Sequence, residues 1–330
     1  MLKINFLSDF LQFQRFIGIN GALVATLAQV KVMQNYVKIT INSYEKYYDI
    51  LHSHGCFPYT FRMVKRGIKL KKPIVISAHQ THHDIYNSFL FSKQLSLSFK
   101  QYIRRYYKVA DVIICPTENS RKIVQNELRI KKPIKLISNG VDISKFQHST
   151  MKRTQFRKKY DLNRPTVLSV GMPTRRKGFF DFIQISKYLI DLSFLWVGHR
   201  AFPLIQPNYI INGNNLIMPG FVNDIISAYS GGDIFCFPSY YEGEGIVVFE
   251  AMSCGLPVII RDLPVYEGRF IDGKNCLKAN NNNEFVEKIE YLIDNPSERK
   301  RIADYGLKTA KEFDINKTAK NLYKVYLELI

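Results

Sequence analysis

A chain of 330 residues, 46% of them apolar, is long enough for about two ordinary domains and can fill their cores, which excludes a globally disordered polymer. Its formal charge of +19 is uneven: residues 1–150 hold 23 Lys+Arg and 8 Asp+Glu, a net of +15, whereas residues 151–330 hold 24 and 20, a net of +4. The first half therefore draws an anionic partner (nucleic acid, an anionic membrane surface or a phosphorylated ligand), and the five cysteines, odd in number and without a C-x-x-C pair, exclude a disulfide framework in favour of reduced, buried thiols in the cytosol.

The opening MLKINFLSDF reads as a strand and a loop rather than a secretory signal. The longest weakly polar stretch, residues 16–30, contains Asn20 and Gln29 and is shorter than the about 20 apolar residues that a membrane span needs. Strand-like runs follow in the order KINFLSD, YVKITIN, YDILHSHG, PIVISAH, DVIICPT and IKLISNG, with helical stretches such as GALVATLAQVKVMQNY and SRKIVQNELR between them. Residues 147–165 read as a polar, basic joint, after which the alternation resumes with TVLSVGM, LSFLWVG, NLIMPGF, IFCFPSY and PVIIRDL. Continuous apolar strands alternating with helices predict parallel sheets covered on both faces, here two doubly wound α/β domains facing across a cleft. The expected bounds are 1–150 and 151–313, with residues 314–330 an amphipathic helix crossing back to the first domain.

Ligands of such sheets bind beyond the carboxyl ends of the strands, where YYEGEGIVVFEAMSCGLPVI (240–259) falls. IFCFPS reads as a buried strand, YYEGEG as the loop leaving it and IVVFEAMSC as a helix stopped by Gly255 and Pro257. Gly243 and Gly245 let the backbone approach a ligand, and the helix start with Ile246 and Val247 offers N–H groups and partial positive charge to phosphate. A nucleotide sugar fits, with Glu242 on sugar hydroxyls and Glu250 on ribose hydroxyls; two solvated glutamates on a surface helix are the plain alternative. A hydrolase dyad needs carboxylates about 5–9.5 Å apart, whereas eight residues of helix separate them by about 12 Å.

The stretch FPSYYEGEGIVVFEAMSCGLPVI resembles the E-x7-E signature of family 4 retaining glycosyltransferases, whose fold is GT-B. LHSHG (51–55), SAHQT (77–81), ISNGVDISKF (137–146) and VGMPTRRKGFFDFI (170–183) resemble further family segments in the same order. The resemblance implies that Glu242 contacts the donor hexose, Glu250 binds ribose, Lys177 neutralises the departing diphosphate and His79 lies near the reacting sugar. It implies that Gly18 to Gly21 form a glycine loop under the phosphates. Met172 stands where the family has an arginine, so that Arg175 or Arg176 supplies that charge or it is missing, and Glu244, counted with the donor-binding residues, stands where many members carry an aromatic residue. No D-x-D triplet occurs, and no further His or Cys is spaced to complete a metal site with His52 and His54. No metal and no tightly bound cofactor are therefore expected, and stimulation by Mg2+ cannot be read from the residues. His82 and His83 read as solvated loop residues.

The basic half would carry the acceptor. SFLFSKQLSLSFKQYIRRYYK (88–108) interleaves Lys93, Lys100, Arg104, Arg105 and Lys108 with aromatic and aliphatic residues, as a helix lying in an anionic membrane interface would, and RMVKRGIKLKK (62–72) adds a second basic cluster. An ordinary core helix with a solvated face fits the same pattern. IRDLPVYEG (260–268) resembles a segment of the membrane-bound members that build glycolipids on diacylglycerol. The expected reaction is transfer of a hexose from UDP-glucose, or UDP-galactose, to a diacylglycerol glycolipid acceptor such as monoglucosyl-diacylglycerol, at the cytoplasmic face of the membrane. The alternative is a soluble family 4 enzyme acting on a polysaccharide or polymer precursor. A nucleic-acid partner would match the charge but gives no reason for the two glutamates and their glycine turn.

Overall fold

The computed structural model describes residues 1–9, 21–84, 92–198 and 215–330. They divide into two compact units, residues 1–140 with 314–330, and residues 141–313. In the first unit β1 (Lys3–Leu7), β2 (Lys38–Ile41), β3 (Ile50–Ser53), β4 (Ile74–Ser77), β5 (Val112–Cys115) and β6 (Ile134–Leu136) form one parallel sheet in the order β2-β1-β3-β4-β5-β6. In the second, β7 (Thr166–Val170), β8 (Ser193–Val197), β9 (Leu216–Gly220), β10 (Ile234–Phe237), β11 (Val258–Arg261) and β12 (Leu277–Ala279) form another in the order β12-β11-β10-β7-β8-β9.

The strands read as unbroken apolar runs because helices cover both faces. Along β10, Phe235 and Phe237 enter one core while Ile234 and Cys236 enter the other, and all four are fully buried. The carboxyl-terminal helix Ile315–Leu327 belongs to the first unit, where Ala319, Leu322, Val325 and Tyr326 share a core with Phe6, Val30, Met33 and Val75. All five cysteines are buried, and none is in a disulfide.

Strand order reverses at β1/β3 in the first unit and at β7/β10 in the second. Loops leaving the carboxyl ends of the strands at such a reversal diverge and open a crevice. The segments 171–178 and 238–245 leave β7 and β10 at that point.

Residues 147–165 are not simply a joint. Thr150–Lys159 form a helix capped by the Ser149 side chain, with Phe156 buried and Arg153 and Arg157 paired to Asp233 at 2.7 and 3.1 Å. Its cations dock the helix on the second unit, so the charge that reads as a linker is a packing contact. β12 has only three residues and escapes a reading based on apolar runs; Asn281, in the asparagine tract that follows, caps the next helix through the Glu284 N–H.

Candidate active site

The helix Ile246–Ser253 begins at Gly245, whose φ of +82° is left-handed and whose Cβ would stand 3.0 Å from the Tyr266 ring. Glycine meets both demands, and among the described residues no side chain caps this helix start. Ile246 and Val247 are half-buried in its first turn. Ahead of it, Glu242 is 7% exposed and its Oε1 accepts from Lys177 Nζ and Ser239 Oγ, both at 2.6 Å. Burial alone would raise this carboxyl. The Lys177 and Arg176 charges and the bonds from Lys177 and Ser239 outweigh it and hold Glu242 below its ordinary pKa, as a carboxylate at neutral pH.

Lys177 comes from the loop after β7, 65 residues away in sequence. Three contacts zip the two loops together: Tyr240 N–H donates to the Arg176 carbonyl at 2.8 Å, Ser239 Oγ to the same carbonyl at 3.2 Å, and Arg176 Nη1 to the Tyr241 carbonyl at 2.9 Å. The Arg175 guanidinium lies 5.7 Å from the Phe180 ring centre, and Met172 is 37% exposed. Glu244 is buried and ion-paired with Arg269 at 2.8 Å. Glu250, on the buried side of the helix, accepts from the Tyr229 hydroxyl through Oε2 at 2.7 Å; its other oxygen has no partner among the described residues. Burial raises its pKa against the Tyr229 bond and the Lys145 charge. The two glutamates thus sit in opposite electrostatic settings. Tyr229 and Arg269 carry no motif. Arg261, the arginine of the IRDLPVYEG segment, donates to the Pro238 and Asn280 carbonyls and so holds the end of β10.

In the first unit His79 is half-buried just beyond β4, and its Nε2 lies 2.9 Å from Nδ1 of buried His54, just beyond β3. His52 bonds Tyr326 Oη at 2.6 Å and Ser77 Oγ at 2.9 Å. Burial lowers the pKa of His79 to about 4, of His52 to about 3 and of His54 well below its ordinary value. The unfolded chain therefore binds protons near pH 6.5 that the folded chain refuses, so stability rises with pH across that window and is lost as pH falls below about 6.5. Melting temperature should drop between pH 7 and 5, and drop less in His79→Gln. Buried Asp9, at the β1/β3 reversal, accepts from Phe57 N–H and from the Thr60 N–H and hydroxyl at 2.9, 3.1 and 2.7 Å, anchoring the helix Pro58–Lys69.

Gly18 lies outside the described residues, and Gly21 opens the helix Gly21–Met33. The Lys93 side chain also lies outside them. On the helix Ser92–Tyr107, Ile103, Tyr106 and Tyr107 are buried in the core, Lys100 and Arg104 are half-buried, and Arg105, Leu95 and Leu97 are exposed, as is Lys108 just after it. Its aromatic residues here serve the core, and the basic side chains share the outer face with two leucines.

His82 is not solvated: it is 7% exposed, and with His83 it bonds the Glu127 carboxylate at 3.2 and 3.0 Å. These three side chains are the one group among the described residues whose ligand atoms could converge on a metal. The histidine rings stand only 4.0 Å apart, closer than two imidazoles bound to one tetrahedral ion at about 2.0–2.1 Å allow, and the nearby Lys100 charge opposes a cation.

Two family models match the chain, "Glycosyltransferase Family 4" over residues 32–145 and "Glycosyl transferases group 1" over residues 151–309. A processive diacylglycerol alpha-glucosyltransferase of Acholeplasma laidlawii is 31% identical over 292 residues, 86% of each chain. The alpha-galactosylglucosyldiacylglycerol synthase of Streptococcus pneumoniae is 29% identical over 175 residues, 50% of this chain and 45% of that one. Anabaena HepE, solved with UDP and glucose, shares the fold with a TM-score of 0.82 at 17% identity over the full length of both chains. With a relative this similar along most of its length and both models in succession, the chain belongs to family 4 of the glycosyltransferases.

Proposed function

We propose that the chain is a retaining hexosyltransferase that moves glucose from UDP-glucose to a diacylglycerol glycolipid, such as monoglucosyl-diacylglycerol, at the cytoplasmic face of the membrane. The observation that carries this reading is the Lys177 ammonium seated 2.6 Å from Glu242, ahead of a helix whose cap residue is the left-handed Gly245. The bond between sugar C1 and the β-phosphate oxygen breaks, and its electron pair stays on that oxygen. Lys177 and the N–H groups of Ile246 and Val247 stabilise the charge as it develops, while Gly243 and Gly245 keep the backbone close. Arg175 and Arg176 add positive charge on the same loop. The acceptor hydroxyl attacks C1 from the face the diphosphate leaves, and its proton passes to the departing phosphate oxygen. Glu242 accepts from hydroxyls of the sugar, and Glu250 accepts from the ribose through its unpartnered oxygen.

The acceptor reading is supported by the glycolipid synthases among the relatives and by the basic first unit. A groove of about 540 Å³ lined by Arg62, Lys65, Arg66, Lys69, Phe61 and Tyr102 adds to the charge carried by Lys100, Arg105 and Lys108. Among the described residues no helix is long and apolar enough to cross a membrane. Incubation with radiolabelled UDP-glucose and, separately, UDP-galactose should label monoglucosyl-diacylglycerol in anionic vesicles from the first donor. Label entering only a polysaccharide precursor would favour the soluble reading. Lys100, Arg105 and Lys108 changed together to Ser should weaken vesicle sedimentation about 100-fold, at about 1 kcal/mol per cation; unchanged sedimentation would move the membrane face elsewhere.

A further inference from the structure

We propose that His54 is a positioning residue that holds His79 in its Nδ1–H tautomer, so that the donor sugar meets an N–H donor there and not a bare lone pair. The consequence for the sugar rests on the expectation, implied by the family resemblance, that His79 lies near the reacting sugar; the tautomer does not. Two neutral imidazole nitrogens 2.9 Å apart are bonded only if one of them carries the proton. His54 is 1% exposed, and its Nε2 is buried without a partner among the described residues. If His79 donated from Nε2, the His54 proton would have to sit on that Nε2, an orphaned N–H in the core. If His54 donates from Nδ1, the orphan is an acceptor lone pair instead. Buried N–H groups without acceptors are the rarer and more costly defect. The second arrangement therefore holds: His79 Nε2 accepts, and its own proton is on Nδ1.

The packing keeps His54 in place to do this. Its ring stacks on Phe6 with centres 4.9 Å apart at 14°, lies against His79 at 5.1 Å and 27°, and stands 4.2 Å from His52, which Ser77 and Tyr326 hold by both nitrogens. Turning the His54 ring about its Cβ–Cγ bond has to break those ring contacts on the way. Register brings the two partners together: β3 and β4 pair in parallel with Ser53 opposite Ile76, so the residues just beyond each strand share one corner of the sheet. His79 carries no hydrogen bond at Nδ1 among the described residues and is half-buried, so a ligand can receive that proton.

The chain has seven histidines, few enough for long-range 15N–1H correlation spectra with each ring assigned by substitution. Wild-type His79 should show a protonated Nδ1 and a bare Nε2 at pH 7. His54→Leu removes the donor; His79 should shift towards Nε2–H, and kcat should fall about tenfold, the scale of one neutral hydrogen bond. His54→Asn, which can offer an amide N–H at the same place, should restore both. A wild-type His79 protonated at Nε2 overturns the inference, even if the variants fail to fold. Nδ1–H in the wild type that persists in a folded His54→Leu refutes the positioning role of His54, whereas a tautomer that shifts in that variant with kcat unchanged upholds the role and refutes the placement of His79 at the sugar.

Discussion

Lys177→Met is expected to lower kcat by about 10²–10³-fold, the loss seen when one donor is removed from a developing anion. Stability should fall as well. Glu242 is 7% exposed and Lys177 15%, so the change leaves a buried carboxylate without its cation, a loss of about 3–5 kcal/mol. Part of that loss is relieved by protonation, because burial pushes the Glu242 carboxyl up once the Lys177 charge no longer opposes it. The double variant Lys177→Met/Glu242→Gln separates the two effects. It removes both charges and should regain most of the melting temperature while turnover stays low. Turnover within threefold of wild type in Lys177→Met would take the lysine out of the chemistry and leave the pair a structural contact.

Gly178→Ala is expected to be nearly as damaging, although residue 178 has no side chain to lose. Its φ is +73°, and a Cβ there would stand 2.1 Å from the Pro238 carbonyl oxygen. The left-handed backbone costs about 1–2 kcal/mol, and forcing the loops apart adds about 1–3 kcal/mol of overpacking. The displaced segment carries Arg176 and Lys177, whose contacts with Ser239, Tyr240, Tyr241 and Glu242 join the two loops. A drop in melting temperature together with weaker UDP binding, read by calorimetry, is the expected result. A variant that binds UDP as wild type does would show that the loops can separate without disturbing the nucleotide.

The two settings of Glu242 and Glu250 bear on how the site would divide its work. A carboxylate held ionised by Lys177 and Arg176 can accept from sugar hydroxyls throughout the neutral pH range. Glu250, raised by burial and tied to Tyr229 on one side, keeps an oxygen for a neutral hydroxyl. Glu244, the third acid of the turn, is ion-paired with Arg269.

The sequence by itself determined the α/β class and the strand–turn–helix around Glu242. Those follow from local rules: apolar runs mark strands covered on both faces, and glycines mark a backbone that must bend before a helix. The helix over Thr150–Lys159 was hidden, because a run of cations looks the same whether it meets solvent or Asp233. So was the buried state of His82 beside Glu127, and the burial of Tyr106 and Tyr107 on a helix that composition makes look membrane-facing. Only the tertiary structure decided the pairs, Lys177 with Glu242 across 65 residues and His54 with His79 across 25. The reason is topological: β7 and β10 are neighbours, as are β3 and β4, so residues distant in the chain leave the sheet side by side. Strand order depends on the packing of whole faces, which no short stretch of sequence records.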